Sequence, residues 1–230
     1  MALSKEEITR KLLHLFALIM PVGLFYFPQW GMPYWVAVAL LVFFVIGSII
    51  VETLRFRVPA VQAVFFKCFG HMLRKEEKGK VTGSTYVVGA ALICSLIFWD
   101  EQLRHISFMV LTMFILGDAI AAIVGLSMGR IKIGKKSLEG SLACFLLCMI
   151  LFYALFPNLP HLLPVAWQVS KANMLWIALA ASFSITIFEL VPLKITSKII
   201  INDNLAVPVI TGGIIWFLER MLFNKFLLGL

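Results

Sequence analysis

Asp118 stands in ILGDAIAAIVGLSMGR, an otherwise apolar stretch long enough to cross a bilayer. A charged side chain at membrane depth costs about 3 kcal/mol on insertion scales, so it marks a functional position by default. On a helix, Asp118, Ala122, Gly125 and Gly129 fall at i, i+4, i+7 and i+11 and share one face. The small residues leave room for a neighbouring helix or a ligand. Helix packing through Gly125-x-x-x-Gly129 is the competing reading, but packing does not require a carboxylate.

The stretch that follows is GRIKIGKKSLEGS, residues 129–141. Arg130, Lys132, Lys135 and Lys136 bring charge and the glycines allow close backbone approach. Ser137 and Glu139 open the next helix, whose first N–H groups have no helical partner, and together these make an anion site. An ordinary basic loop is the alternative. Gly129 to Lys135 imitates the start of a P-loop, but Lys136 occupies the Ser/Thr position and the preceding segment is a membrane helix, so the context is wrong.

Three further clusters carry similar chemistry. KVTGSTY, residues 80–86, offers Lys80, Thr82, Gly83 and Ser84 to a phosphate, with helix capping by Thr82 or Ser84 as the alternative. Glu189 is followed by INDNLAVP, residues 201–208, in which Asp203 and Asn204 are oxygen ligands of the kind Mg²⁺ accepts beside substrate phosphates. Capping of the last helix is the rival reading. Near the start, EEITRKLLH sets Glu7, Arg10, Lys11 and His14 at i, i+3, i+4 and i+7, so they can share one helical face at the membrane entrance, with an amphipathic anchoring helix as the alternative. Carboxylates, a lysine- and glycine-rich loop and a hydroxyl-rich loop are the mixture that Mg-nucleotide binding needs: oxygens for the cation, cations and N–H donors for the phosphates.

These residues need elements to hold them. Of the chain's 230 residues, 61% are hydrophobic and 14% charged, far from the balance of a soluble domain. A membrane crossing takes about 20 apolar residues. Apolar runs predict spans near 11–28, 34–52, 84–99, 106–126, 138–156, 173–192 and 204–223, and a shorter interfacial or re-entrant helix over 58–73. The first run lacks a signal-peptide cleavage pattern and is read as a helix. With the N-terminus inside, sixteen of the twenty Lys and Arg residues fall on the inner side. The expected architecture is a single integral-membrane domain, residues 1–230: an all-α polytopic bundle of about seven spans, N-terminus cytoplasmic, with its polar site on the cytoplasmic face. The net charge of +8 follows topology, and no nucleic-acid-binding pattern accompanies it. Cys68, Cys94, Cys144 and Cys148 lack CxxC spacing and read as small packing residues.

GDAIAAIVG with the following GR, then KKSLEGS, a later glutamate and DNLAVP, together with RKLLH and GSTY, resemble the CTP-dependent lipid-alcohol kinases, the family of dolichol, phytol and farnesol kinases and of a CTP-using diacylglycerol kinase. The likeness runs from residue 7 to residue 208. It implies transfer of the γ-phosphoryl group of CTP to the hydroxyl of a polyprenol, another isoprenoid alcohol or diacylglycerol, with Mg²⁺. By position, Asp118 and Asp203 would be metal ligands or catalytic carboxylates, beside Lys136. Lys135, Lys136, Ser137 and Glu139 would hold the nucleotide phosphates, with Asn204 completing the site. Arg10, Lys11, His14 and Glu189 would be substrate or phosphate contacts. Long dolichol kinases have further spans that this chain lacks, which favours a compact member.

Two other classes compete. In a phosphatidate cytidylyltransferase the lipid phosphate attacks the nucleotide's α-phosphorus. A cation-coupled transporter could use Asp118 and Glu189, but would have no evident need of the basic glycine loop.

Overall fold

Pro21 sets how the chain begins. Its ring removes a helix donor and crowds the carbonyl of Ala17, and the first expected span breaks there into α1 (Lys5–Phe16) and α2 (Ile19–Tyr26). Across the break the N–H groups of Ala17, Leu18 and Met20 donate to carbonyls only three residues back. The computed structural model describes residues 5–70, 73, 78–134, 136–191 and 202–227.

A second proline acts at the next boundary. α3 (Tyr34–Arg57) ends at Val58, which is extended, as the residue before Pro59 prefers, and Pro59 opens α4 (Pro59–Phe69). α5 (Gly83–Ile97) and α6 (Arg104–Ser127) follow. A two-stranded antiparallel hairpin, β1 (Lys132–Ile133) and β2 (Lys136–Ser137), then leads into α7 (Leu138–Ile150). Gly134 takes the left-handed conformation, φ 61°, at the start of the hairpin's turn, a backbone state cheap for glycine. α7 runs on through a π turn and a 3₁₀ turn to Asn158, and α8 (Val165–Val169), α9 (Lys171–Leu190) and α10 (Asp203–Leu227) complete the order.

Five stretches are long and apolar enough to cross a membrane: Tyr34–Arg57, Glu101–Ser127, Leu138–Asn158, Lys171–Leu190 and Asp203–Phe223. The molecule is thus an integral-membrane helical bundle, as its composition requires, with the small hairpin as a departure from the all-α expectation. The expected seven spans are not matched one for one. The first is broken by Pro21, and α5, at 15 residues, covers only about 22 Å of a hydrocarbon layer roughly 30 Å thick. α4 is the short helix expected over 58–73.

α6 is the central element and packs against α1, α2, α5, α7, α9 and α10. Its contact with α7 is close because small groups meet there: a Cβ on Gly117 would stand 2.9 Å from Cys144 Sγ, and one on Gly140 2.4 Å from the carbonyl oxygen of Ala121. Cys94, Cys144 and Cys148 are buried in this core as free thiols, whereas Cys68 is exposed on α4. At one end of the bundle Trp167 is fully buried, stacked between Phe152 and Phe223 and donating through Nε1 to Glu219 Oε1 at 3.1 Å. At the other end the C-termini of α3, α6 and α9 meet the N-termini of α5, α7 and α10. The unusual polar side chains gather there.

Candidate functional site

Asp118 lies in the C-terminal half of α6 (Arg104–Ser127), where α1 packs against it. Lys11, from α1, donates through Nζ to Asp118 Oδ2 at 2.6 Å and to the Asp118 carbonyl at 3.1 Å. His14, one helical turn on, places Nε2 3.4 Å from the same carboxylate oxygen. The 3.6-residue period that puts Lys11 and His14 on one face of α1 thus aims both at a single carboxylate. Arg10 stands beside them on the cavity wall.

A second cluster forms around Lys136. The hairpin pairs Ile133 with Lys136 and Lys132 with Ser137. Lys136 reaches across to the start of α10 and the end of α9: its Nζ is 2.8 Å from Glu189 Oε1 and 3.3 Å from Asp203 Oδ2, and it also donates to the Glu189 carbonyl. Burial opposes the Lys136 charge, but Glu189 and Asp203, with a smaller share from Asp118, outweigh it and hold the ammonium above the ordinary lysine pKa. Two carboxylates already converge on one cation here. Among the described residues, no group of three or more His, Cys, Asp or Glu side chains could hold a metal ion by itself. The donor set suits Mg²⁺ as that ion is held beside nucleotide phosphates, by one or two carboxylates with the phosphates completing the shell.

Both clusters open into one cavity of about 1470 Å³. Its polar wall includes Arg10, Lys11, His14, Thr82, Gly83, Ser84, Asp118, Lys136, Ser137, Glu189, Asp203 and Asn204. Its other wall is apolar, built from Phe43, Phe44 and Gly47 of α3, Phe65 and Phe69 of α4, and Leu13 and Met20 of the first two helices. Phe43, Phe44, Phe69 and Leu13 are exposed large hydrophobics. The cavity thus has an exposed apolar side in a bundle built to sit in a membrane.

Several expected residues also make structural contacts. Ser137 caps α7, its Oγ accepting from Gly140 N–H at 3.2 Å, and it packs against Gly125 and Gly129. Those glycines make room for a neighbouring helix start, and Gly129 lies beyond the end of α6. Glu139 accepts from the backbone N–H groups of Arg130 and Ile131 at 2.9 and 3.1 Å, which pins the loop. Neither Glu139 nor Arg130 is part of the cavity wall, and neither is Lys80, whose carbonyl accepts from Arg55. Lys135 lies outside the described residues. α10 is capped by Asn202, whose Oδ1 accepts from Asn204 N–H at 3.0 Å, leaving the Asp203 Oδ2 atom to Lys136. Asn204 Nδ2 donates to the carbonyl of Gly83 at 3.2 Å and ties α10 to α5.

Glu52 and Arg55 belong to this end of the bundle and escaped the sequence reading. Both are buried, and Arg55 Nε donates to Glu52 Oε2 at 2.6 Å. The readable signal was an i, i+3 acid–base pair closing an apolar run, in VETLRFR.

No family model matches the chain, and no solved structure matches it. It is similar to an uncharacterized protein of Rickettsia prowazekii, 25% identical over 210 residues that cover 88% of this chain and 89% of that protein.

Proposed function

We propose that the protein is a membrane lipid kinase that moves the γ-phosphoryl group of CTP, or another nucleoside triphosphate, to the hydroxyl of an isoprenoid alcohol or diacylglycerol. The observation that carries this reading is the shared cavity. Part of its lining offers lysines and carboxylates, and another part is apolar, with exposed large hydrophobics among it. A water-soluble anion and a bilayer-dissolved alcohol have separate places in it.

Phosphoryl transfer asks a protein chiefly for positioning and charge neutralisation. Lys136 and Lys11 supply positive charge beside the triphosphate. Asp118 and Asp203 are the carboxylates proposed to hold Mg²⁺, with Glu189 next to them; the ion supplies charge neutralisation on the phosphates. The lipid oxygen forms its bond to the γ-phosphorus as the bond from that phosphorus to the bridging β-oxygen breaks. The nucleoside diphosphate leaves, and the hydroxyl proton passes to a cavity carboxylate. The preference for CTP rests on the resemblance in the sequence, and placing this end of the bundle at the cytoplasmic face rests on the Lys and Arg bias of the loops.

The test is incubation of purified protein with γ-labelled CTP, Mg²⁺ and a panel of lipid alcohols in mixed micelles. Label in the lipid, lost in Asp118→Asn, supports the reading. Label released as pyrophosphate in the presence of phosphatidate identifies a cytidylyltransferase instead. Transfer at the wild-type rate by Asp118→Asn would remove this cavity as the reaction centre.

A further inference from the structure

Glu52 is a carboxylate with both oxygens engaged, and the partners lie on the element that begins the hydroxyl-rich wall. Its Oε1 accepts from the Thr82 N–H at 2.9 Å and from Thr82 Oγ1 at 2.7 Å, with Thr85 Oγ1 at 3.4 Å. Its Oε2 accepts from Arg55 Nε, and Arg55 in turn donates to the carbonyls of Lys78 and Lys80. The Arg55 guanidinium lies over the rings of Phe56 and Phe65, 4.3 and 4.7 Å from their centres. A buried ion pair is a weak source of stability, because desolvation offsets most of the attraction, and its better-attested use is to fix one arrangement. Here the arrangement fixed is the entry of the chain into α5.

We propose that the Glu52–Arg55 pair is a positioning device for the nucleotide: it clamps the 78–82 segment and the first turn of α5 to the end of α3, so that Ser84 and Thr85 face the phosphates across from Lys136. This deepens the lipid-kinase reading and rests on it. Glu52 is not a proton acceptor in the reaction, since each of its oxygens already receives donors. It also lines the cavity, but a carboxylate repels phosphate oxygens, and its own oxygens are already held by Thr82 and Arg55. It acts through Thr82, whose side chain and N–H it holds, while Asn204 secures the same turn from the α10 side through the Gly83 carbonyl. Two independent ties, from α3 and α10, converge on a single turn of α5.

The experiment measures CTP affinity with a fluorescent CTP analogue, alongside steady-state constants for CTP and for the lipid alcohol, on full-length protein in detergent. Glu52→Ala should raise the KM and Kd for nucleotide by about tenfold or more, as expected for a displaced binding wall, while the lipid KM stays near wild type. Glu52→Gln keeps an oxygen for Thr82 and should recover much of the loss. Because Glu52→Ala leaves Arg55 buried without its acid and can fail to fold, Thr82→Val is the second variant: it keeps the side chain's shape and removes only the hydroxyl held by Glu52. A nucleotide Kd unchanged in folded Thr82→Val protein, or in Glu52→Ala protein where it folds, overturns the clamp while leaving the kinase reading intact. Wild-type protein that neither binds nor uses any nucleoside triphosphate overturns both.

Discussion

Lys11 Nζ sits 2.6 Å from Asp118 Oδ2, a contact between residues 107 positions apart that joins the first helix to the central one. The Lys11 side chain is 8% exposed and the Asp118 side chain 25%. Removing one member of such a pair strands the other charge, at a cost of about 3 kcal/mol. Lys11→Met and Asp118→Asn should each lower the thermal midpoint in detergent. The double variant should recover most of that loss yet transfer no phosphate. A double variant with wild-type turnover would show that the pair serves the fold alone.

Lys136 bridges two carboxylates from two helices, Glu189 and Asp203. Its charge is poised where a triphosphate would need it, and the loss of one such electrostatic group typically costs about 10²–10³ in rate. Lys136→Ala and Asp203→Ala should each lose activity on that scale with little change in secondary structure by circular dichroism. Near wild-type kcat/KM in both would displace the nucleotide site from this cavity.

The same bridge fixes a pH dependence. Burial disfavours the Lys136 ammonium, but Glu189 and Asp203 more than compensate, so its pKa in the folded protein is raised. Stability contributed by its charge is complete below the ordinary lysine pKa of about 10.4 and is lost only as pH rises through the higher folded value. Lys136 should therefore cause no alkaline fall in kcat/KM between about pH 7 and pH 10. A fall in that window that Lys136→Arg shifts upward would contradict the assignment.

The sequence made Asp118, Lys136, Glu189 and Asp203 legible because charge in or beside an apolar run has few harmless explanations. It hid Glu52 and Arg55 for a related reason. The predicted run stops at residue 52, so Glu52 looks like its boundary and Arg55 like loop, whereas α3 continues to Arg57 and buries both. Ser137 and Glu139 were ambiguous by type: the oxygens that could sit beside a phosphate site also cap a helix and pin a loop, and both make those contacts, with Ser137 lining the cavity as well. The break at Pro21 was open to reading from the proline itself, but hydropathy does not register a helix interruption. Which apolar residues line the cavity and which face lipid is a matter of packing that residue type does not encode.

Trp167 anchors the end of the bundle opposite the cavity. Its ring lies between Phe152 and Phe223, with the His105 ring edge-on to it, and its Nε1–H reaches Glu219. Trp167→Ala should destabilise by about 3–5 kcal/mol through the cavity it leaves. Trp167→Phe should cost less, about 1–3 kcal/mol, from the weakened satisfaction of Glu219. Thermal unfolding in detergent measures both. Activity per folded molecule should be unchanged, and a selective loss of activity in Trp167→Phe would tie this end to the reaction.

Gly140 tests whether the close contact of α6 with α7 positions the hairpin. A Cβ there would stand 2.4 Å from the carbonyl oxygen of Ala121 and 3.2 Å from the Cα of Gly125, both backbone atoms that cannot rotate away. The two helices must part, and β2, which leads directly into α7, must move with them and carry Lys136. Overpacking of this kind costs about 1–3 kcal/mol, so Gly140→Ala should lower the thermal midpoint and reduce turnover beyond what the folded fraction explains. Gly213→Ala in α10 is the control, because nothing lies within 4 Å of its added methyl and alanine is the better helix former by up to about 1 kcal/mol. It should be neutral or slightly stabilising with full activity. If Gly140→Ala behaves like Gly213→Ala in both measurements, the α6–α7 contact does not govern where Lys136 sits.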